Sequence, residues 1–405
     1  MNSALYIARK IIRGRKDKSL SNPVVNIAVL SVALSVAVML IAVVSVQGFK
    51  TEIARMVSGF AGHISIRSFD NNDSYEANAI YTDSVDVKKL RANTDLAAIQ
   101  QIATKAGILK SQTDMQGIAL KGYGSDYNPE FFKNNLVEGR NIRFADSLTN
   151  DIIISSAISK QMNLQCNDKV LCYFVQQPPR VRKFNIVGIY KTGLEEFDNT
   201  FVICDIRHIQ KLNSWQPNEI GGYEIFLRDF ESIDKVTMAV NEASSFNIRA
   251  ESIIEKFPQI FNWLNLINGN VIVILVLMII IACVNMIATL LILILDNTNT
   301  IGMLKALGAR NRMVRQIFLY IACYLTFLGI VIGNIIGLGL AFIQHKFGLL
   351  KLPQETYYLD VAPIQFDWFL ITGINLGAFV LCILFLLIPI AWIARVEPVK
   401  VIRFQ

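Results

Sequence analysis

Histidine is nearly missing from this chain: His63, His208 and His345 are the only three in 405 residues, and each falls in a different segment. No HExxH or paired-ligand spacing can be built from them, so a histidine-based metal site is not expected. No GxxxxGK[ST] phosphate loop occurs either, which removes that route to binding and hydrolysing ATP. Gly122-Tyr123-Gly124 lacks the third glycine of a dinucleotide fingerprint and reads as a turn. A GxSxG nucleophile elbow is absent. The six cysteines show no CxxC spacing. Cys283, Cys323 and Cys382 stand singly in apolar runs, where a small buried hydrophobe is the default reading. Cys166, Cys172 and Cys204 lie in a segment expected outside the cytoplasm, where one pair is open to oxidation. Glu195-Glu196 with Asp198 is an acidic cluster that reads as a solvated turn rather than an acid–base pair. Charged residues are only 18% of the chain, and no basic stripe with interleaved aromatics marks a nucleic-acid surface.

Apolar residues, by contrast, make up 53% of the chain, a membrane-protein balance. Four runs of span length stand out: 23–47, 267–295, 316–343 and 368–394. About 20 residues at 1.5 Å each cross roughly 30 Å of hydrocarbon. The net charge of +7 is unevenly placed. Residues 1–22 hold six Lys/Arg against one Asp, and 296–315 and 395–405 carry +3 and +2. Segments 48–266 and 344–367 carry −2 and −1. Basic excess on alternate sides of the spans places 1–22, 296–315 and 395–405 in the cytoplasm. The fold class expected is therefore an integral membrane α-helical protein of four transmembrane helices. A large α+β periplasmic domain, 48–266, is inserted between helices 1 and 2, and 344–367 forms a short periplasmic loop.

Within 48–266, alternation and β-branching predict strands at 63–69, 117–123, 151–155, 169–175, 184–190 and 222–229. Helices are expected over 95–105, 205–212 and 232–243. Asp70-Asn71-Asn72-Asp73 and Gln177-Pro178-Pro179 carry turn residues. The basic residues Arg180, Arg182 and Lys183 after the double proline read as a solvated loop or as a docking site. Residues 251–270 are expected to return the chain to the membrane as a helix, with Phe257, Phe261 and Trp263 near the interface.

Residues 3–16 set Leu5, Ile7, Ala8, Ile11 and Ile12 against five basic residues, an amphipathic helix for the cytoplasmic interface. In span one, Ser31, Ala33, Ser35 and Ala37 offer a small-residue face. Asn285 in span two is expected to hydrogen-bond a neighbouring helix. Gly329, Gly333 and Gly337 in span three recur every fourth residue and allow close helix packing, within the chain or against a second copy. Pro389 is expected to kink the inner end of span four.

The polar stretch 296–315 lies between two spans. Its centre reads as a short helix, Thr300, Ile301, Gly302, Met303, Leu304, Lys305, Ala306 and Leu307, closed by Gly308 in a left-handed position. The residue reading leaves two uses open: an ordinary basic interhelical loop, or a lever that passes on a push from a soluble partner.

Taken in order, several pieces resemble the permease subunits of the lipoprotein-releasing ABC transporters (LolC/LolE), within the MacB/FtsX-like permease superfamily. Gln47-Gly48-Phe49 follows span one. Phe184-Asn185-Ile186-Val187-Gly188-Ile189-Tyr190 leads to Thr192-Gly193-Leu194-Glu195-Glu196-Phe197-Asp198. Trp263 precedes span two, and Asn285 stands within it. Residues 301–309 are similar to the family's cytoplasmic helix, and Pro398-Val399-Lys400-Val401-Ile402-Arg403 to its ending.

The resemblance implies a permease of the bacterial inner membrane that extracts mature lipoproteins and hands them to a periplasmic carrier (LolA-like). Its implied partners are a second permease copy or paralogue, membrane lipid, and a dimer of a separate ABC ATPase (LolD-like). The chain itself is then no enzyme and binds no cofactor; ATP and Mg belong to that ATPase. The helix 300–308 is the implied ATPase contact. The outer halves of spans one and two (Leu40, Val43, Val46, Val271, Leu275) are the expected lining of a lipoprotein cavity. Gln177, Pro178, Pro179, Arg180 and Arg182 sit where LolC-type chains carry a carrier-binding hook, here in a shorter loop. Two further departures are Thr300, where the family often has an acidic residue, and Ile390-Ala391-Trp392 after Pro389, where it commonly has Ala-Arg-Arg. The rival within the superfamily is a MacB- or FtsX-type efflux or mechanotransmission permease. The rival from another class is a membrane-anchored sensor or enzyme.

Overall fold

The computed structural model describes residues 3–13, 21–70, 75–91, 94–111, 114–144, 147–245, 247–353 and 357–392. Residues 14–16, the turn residues 71–73, Arg395 and the ending 398–403 lie outside the described residues. The helices are α1 (Ser3–Arg13), α2 (Ser21–Ala61), α3 (Val87–Arg91), α4 (Glu130–Asn134), α5 (Ser156–Met162), α6 (Glu195–Thr200) and α7 (Ile206–Asn213). They continue with α8 (Ile233–Ala243), α9 (Ile253–Lys256), α10 (Pro258–Asp296), α11 (Thr298–Ala306), α12 (Asn311–Phe347) and α13 (Trp368–Trp392). The strands are β1 (Ile64–Ser68), β2 (Ile80–Tyr81), β3 (Leu96–Lys110), β4 (Met115–Tyr123), β5 (Leu136–Gly139) and β6 (Asp151–Ser155). Then come β7 (Lys169–Phe174), β8 (Arg180–Tyr190), β9 (Phe201–Asp205), β10 (Glu219–Ile220), β11 (Gly222–Leu227) and β12 (Ile248–Ser252). The chain divides into a helical unit (Met1–Thr51, Trp263–Lys351, Val361–Gln405) and an α/β unit (Glu52–Asn262, Leu352–Asp360).

Among the described residues, four helices of the first unit are long and apolar enough to cross a membrane: Pro23–Ala61, Pro258–Asp296, Asn311–Phe347 and Trp368–Ile390. The first two overrun the spans expected from hydropathy. With 41 residues in α2 and 39 in α10, each is about 60 Å long, twice the hydrocarbon thickness. Polar residues beyond a span still make helix, so the backbone does not break at the expected boundaries 47/48 and 266/267. The expected loop 344–367 likewise opens inside α12, which ends at Phe347 with Gly348 left-handed at φ 57°.

The glycine face of α12 packs against α2. A Cβ on Gly329 would stand 2.7 Å from Val32 Cγ1, one on Gly333 2.7 Å from the Ala33 carbonyl oxygen, and one on Gly337 2.9 Å from Ala37 Cα. Helix α1 packs on α12. Its Ala4 and Ala8 are buried and Ile7 and Ile11 touch the same core, while Leu5 and Tyr6 face outward. Many large apolar side chains of this unit point away from it, among them Ile27, Leu30, Leu34, Ile272 and Leu277.

In the α/β unit a ten-stranded sheet runs β12-β1-β11-β3-β4-β9-β6-β8-β5, with β7 joining β3 and β8. The pairings β3–β4, β4–β9, β9–β6, β6–β8, β8–β7 and β7–β3 close a ring of six strands. The 15-residue β3 belongs to that ring by one end and to the open part, β11-β1-β12, by the other. It occupies the segment expected as the helix 95–105. Leu96, Ile99 and Ile102 recur every third residue, imitating a helical face. Pairing on both edges, to β11 and β4, overrides that local signal, and a register shift at Phe226/Leu227 breaks the alternation between Leu96 and Ile99. The strands expected from alternation are all present, whereas β2, β5, β9, β10 and β12 were not foreseen. The expected helix 251–270 is divided: Glu251 ends in β12, and α9 stops before Pro258 opens α10.

Candidate functional site

Helix α11 follows α10 after one residue, Asn297, whose carbonyl accepts from Ile301 N at 2.9 Å. Gly308 N donates to Lys305 O (3.0 Å) and Ala309 N to Leu304 O (2.9 Å), with Gly308 at φ 90°. This paired closure is a Schellman motif, which requires a left-handed residue at Gly308. The helix divides by face. Ile301 and Gly302 are buried, and Leu304 leans on the helical core. Met303 and Leu307, one turn apart, are 61% and 85% exposed. Thr300 and Lys305 are half-buried, and Ala306 and Gly308 are exposed. Arg310, Arg312 and Arg315 follow on the surface. The arrangement is an apolar knob beside basic residues on a short, closed helix, a form suited to seating in a groove of another protein.

Of the residues expected to pack helices, Asn285 Nδ2 donates to Ser31 Oγ at 2.5 Å, joining α10 to α2. The glycine face of α12 is filled by α2 of the same chain, so a second copy does not meet it. Asn334 on α12 and Asn375 on α13 exchange amide hydrogen bonds at 2.8 and 2.9 Å. That pair went unrecognised in the sequence, where the only signal is an amide in each apolar span. The expected cavity lining is differently placed. Leu40 has no accessible surface and belongs to the packed core, and Val271 is buried. Val43, Val46 and Leu275 are half-buried. Leu40 therefore cannot line a cavity in this arrangement, because α2 turns it inward.

Residues 27–243 match the family described as the MacB-like periplasmic core domain, and residues 272–398 the FtsX-like permease C-terminal family. The chain belongs to the MacB/FtsX-like permease superfamily. This permease is 21% identical to the lipoprotein-releasing system transmembrane protein LolE of Haemophilus influenzae, over 99% of both chains. It is 22% identical to the corresponding protein LolC of Neisseria meningitidis, again over 99% of each. The crystal structure of the periplasmic region of MacB from Actinobacillus actinomycetemcomitans aligns with a TM-score of 0.35 and 13% identity, covering 51% of this chain and 96% of that one.

In the permease, the double-proline segment is the tip of the β7–β8 hairpin. Gln177, Pro178 and Pro179 are exposed at the tip, but Arg180 and Arg182 are strand residues, paired with Phe174 and Cys172. Arg180 Nη1 donates to the Lys211 and Leu212 carbonyls at 2.6 and 3.1 Å, capping the end of α7. The strand pairing continues to Arg180, so no projecting hook forms there.

Asp198 is also not the solvated carboxylate expected. It is buried, and accepts from Thr192 N (3.1 Å), Thr192 Oγ1 (2.8 Å) and Gly193 N (3.1 Å). The Thr192–Asp198 segment is a clamp that turns β8 into α6. Burial raises the Asp198 pKa, and the three donors and Lys191 oppose that rise. Cys166, Cys172 and Cys204 are free thiols; burial pushes Cys172 up to about 12.

Lys121 and Glu224, far apart in sequence and unmarked by any motif, form a buried ion pair at 2.8 Å. Gln100 Nε2 donates to the second Glu224 oxygen at 3.0 Å. Burial lowers the Lys121 pKa, while Glu224 opposes the shift.

Proposed function

We propose that this ABC-type permease extracts mature lipoproteins from the outer leaflet of the inner membrane and passes them to a periplasmic carrier. ATP hydrolysis on a separate subunit drives the step. The observation that carries the reading is the end-to-end match to Lol permeases, over a chain that couples four apolar helices to an α/β domain. In this reading the ends of the chain and α11 lie in the cytoplasm, and the α/β domain in the periplasm. Two permeases pair over a dimer of the ATPase, and α11 passes the push on, with Met303 and Leu307 seated in the ATPase. The energetic need is plain: each CH₂ withdrawn from lipid costs about 0.8 kcal/mol, so lifting several acyl chains is steeply uphill without an external source.

Two experiments divide the proposal. Depletion of the permease followed by membrane fractionation is expected to leave lipoproteins in the inner membrane. An unchanged distribution removes the lipoprotein cargo and favours the MacB- or FtsX-type alternative, which the two matched domains equally accommodate. Met303→Asp with Leu307→Asp is expected to reduce ATPase co-purification at least tenfold while membrane insertion stays normal. Undiminished co-purification removes α11 as the contact.

A further inference from the structure

The α/β domain contains a cavity of about 440 Å³ that none of the roles above uses. Its polar floor is the sheet itself: Ser65 and Arg67 on β1, Arg249 and Glu251 on β12, and Glu224 on β11 beside Lys121 on β4. Phe60, Phe201 and Phe257 stand among its walls.

Arg67, Lys121, Arg249 and Lys256 line the cavity against three carboxylates. Those are Glu224, already joined to Lys121, with Glu251 and the exposed Glu196. Arg67 and Arg249 are direct cross-strand partners in the β1–β12 register. Like charges placed opposite each other destabilise a sheet. Lys256 adds a third cation, its Nζ donating to Ser65 Oγ at 3.2 Å. Among the described residues, Arg67, Arg249 and Lys256 form no ion pair. Burial depresses the protonation of Lys256 and neighbouring Arg67 adds to the effect, while Glu224 and Glu251 oppose it, as they do the burial of Arg67.

Arg67 and the exposed Arg249 stand opposite each other beside Lys256, only partly offset by Glu224 and Glu251, and an oxyanion seated among the three would relieve their opposition. Guanidinium groups bind phosphate through paired N–H donors, and an ammonium adds a point charge. The volume lies within the ordinary range of small-molecule pockets, roughly 300–1,000 Å³, and exceeds what a bare anion fills. The aromatic walls give the remainder an apolar surface.

We propose that this cavity binds an organic phosphate, with the phosphate held by Arg67, Arg249 and Lys256 and its organic part against Phe201 and Phe257. The group is carried either on a phospholipid or on a soluble ester. The inference does not depend on the identity of the transported cargo.

The test uses the full-length protein in an uncharged detergent. Dihexanoyl phosphatidylglycerol, glycerol phosphate and inorganic phosphate are titrated by calorimetry, with the unfolding temperature followed in parallel. At least one of the two organic phosphates is expected to bind at least tenfold tighter than inorganic phosphate and to raise the unfolding temperature. Tenfold preference for the lipid over glycerol phosphate assigns a lipid source; equal or reversed preference assigns a soluble ester. Arg67→Gln and Lys256→Gln are each expected to weaken binding at least tenfold. Arg249→Gln, at an exposed strand position, is expected to weaken binding as well and to leave the unliganded unfolding temperature unchanged or higher, because it removes the Arg67–Arg249 opposition. That separates a lost ligand from a lost fold. Absence of organic-phosphate binding, equal binding by the variants and the parent, or binding of an acidic peptide in place of the phosphates overturns the proposal.

Discussion

The two units of this permease bury polar groups in opposite ways. In the helical unit the hidden polar contacts are neutral: Asn285 with Ser31, and Asn334 with Asn375. Large apolar side chains such as Ile27 and Leu277 are turned outward. In the α/β unit a full ion pair, Lys121–Glu224, is buried, and an aromatic cluster around Phe60 is turned inward, with Phe60 stacked on Phe197 at a centroid distance of 4.6 Å. The difference follows from the surroundings each unit requires. A helix facing hydrocarbon gains nothing by hiding its leucines, so small residues and neutral amides hold it to its neighbours. A domain facing water is driven by apolar burial and can carry a buried charge pair at its centre, provided each charge keeps its partner.

The sharpest way to break this contrast is Lys121→Met, which strands Glu224. It is expected to cost about 3–5 kcal/mol of α/β-domain stability. Thermal unfolding of the full-length protein checks it, and the double change with Glu224→Leu should recover most of the loss.

A second effect is pH. Burial lowers the His63 pKa to about 4, and its neutral Nδ1 accepts from Leu227 N at 3.2 Å. Because the folded value lies below the ordinary 6.5, the unfolded chain takes up the proton first. Stability from this group is complete above about pH 6.5 and is lost as pH falls toward 4, by about 2–3 kcal/mol. Unfolding midpoints measured across that window should slope downward on acidification, and His63→Gln should flatten them.

In the helical unit, Gly333→Leu drives a side chain into the Ala33 carbonyl of α2 and is expected to cost roughly 1–3 kcal/mol. The readout is the detergent-solubilised melting temperature. Smallest is Asn334→Leu, which leaves Asn375 without its partner among apolar helices. A loss of about 0.6–2 kcal/mol is expected there. A loss as large as that of Lys121→Met would erase the distinction between the units.

Some of this was open to sequence reading and some was not, and individual elements show why. Helix α11 was legible because its closure is local: Gly308 and the carbonyls it satisfies lie within five residues. The strand β8 was legible through alternation, but the burial of Asp198 was not, because nothing in an acidic run tells that the chain folds Thr192 and Gly193 back onto its carboxylate. Segment 95–105 misled because its apolar spacing is helical while its hydrogen-bond partners, β11 and β4, are remote. Leu40 misled for a related reason: hydropathy reports that a span is apolar but not which face it turns to a neighbour.

The sequence by itself determined that four helices are long and apolar enough to cross a membrane, that a mixed domain follows the first of them along the chain, and that a short helix closes on a glycine between the next two. These depend on run length, alternation and backbone chirality, all properties of neighbouring residues. Only the tertiary structure decided that β3 serves both halves of one sheet, that α2 fills the glycine face of α12, and that Arg67, Arg249 and Lys256 share a cavity. Those depend on which distant segments pair, and pairing is chosen by the whole set of competing contacts rather than by any stretch alone.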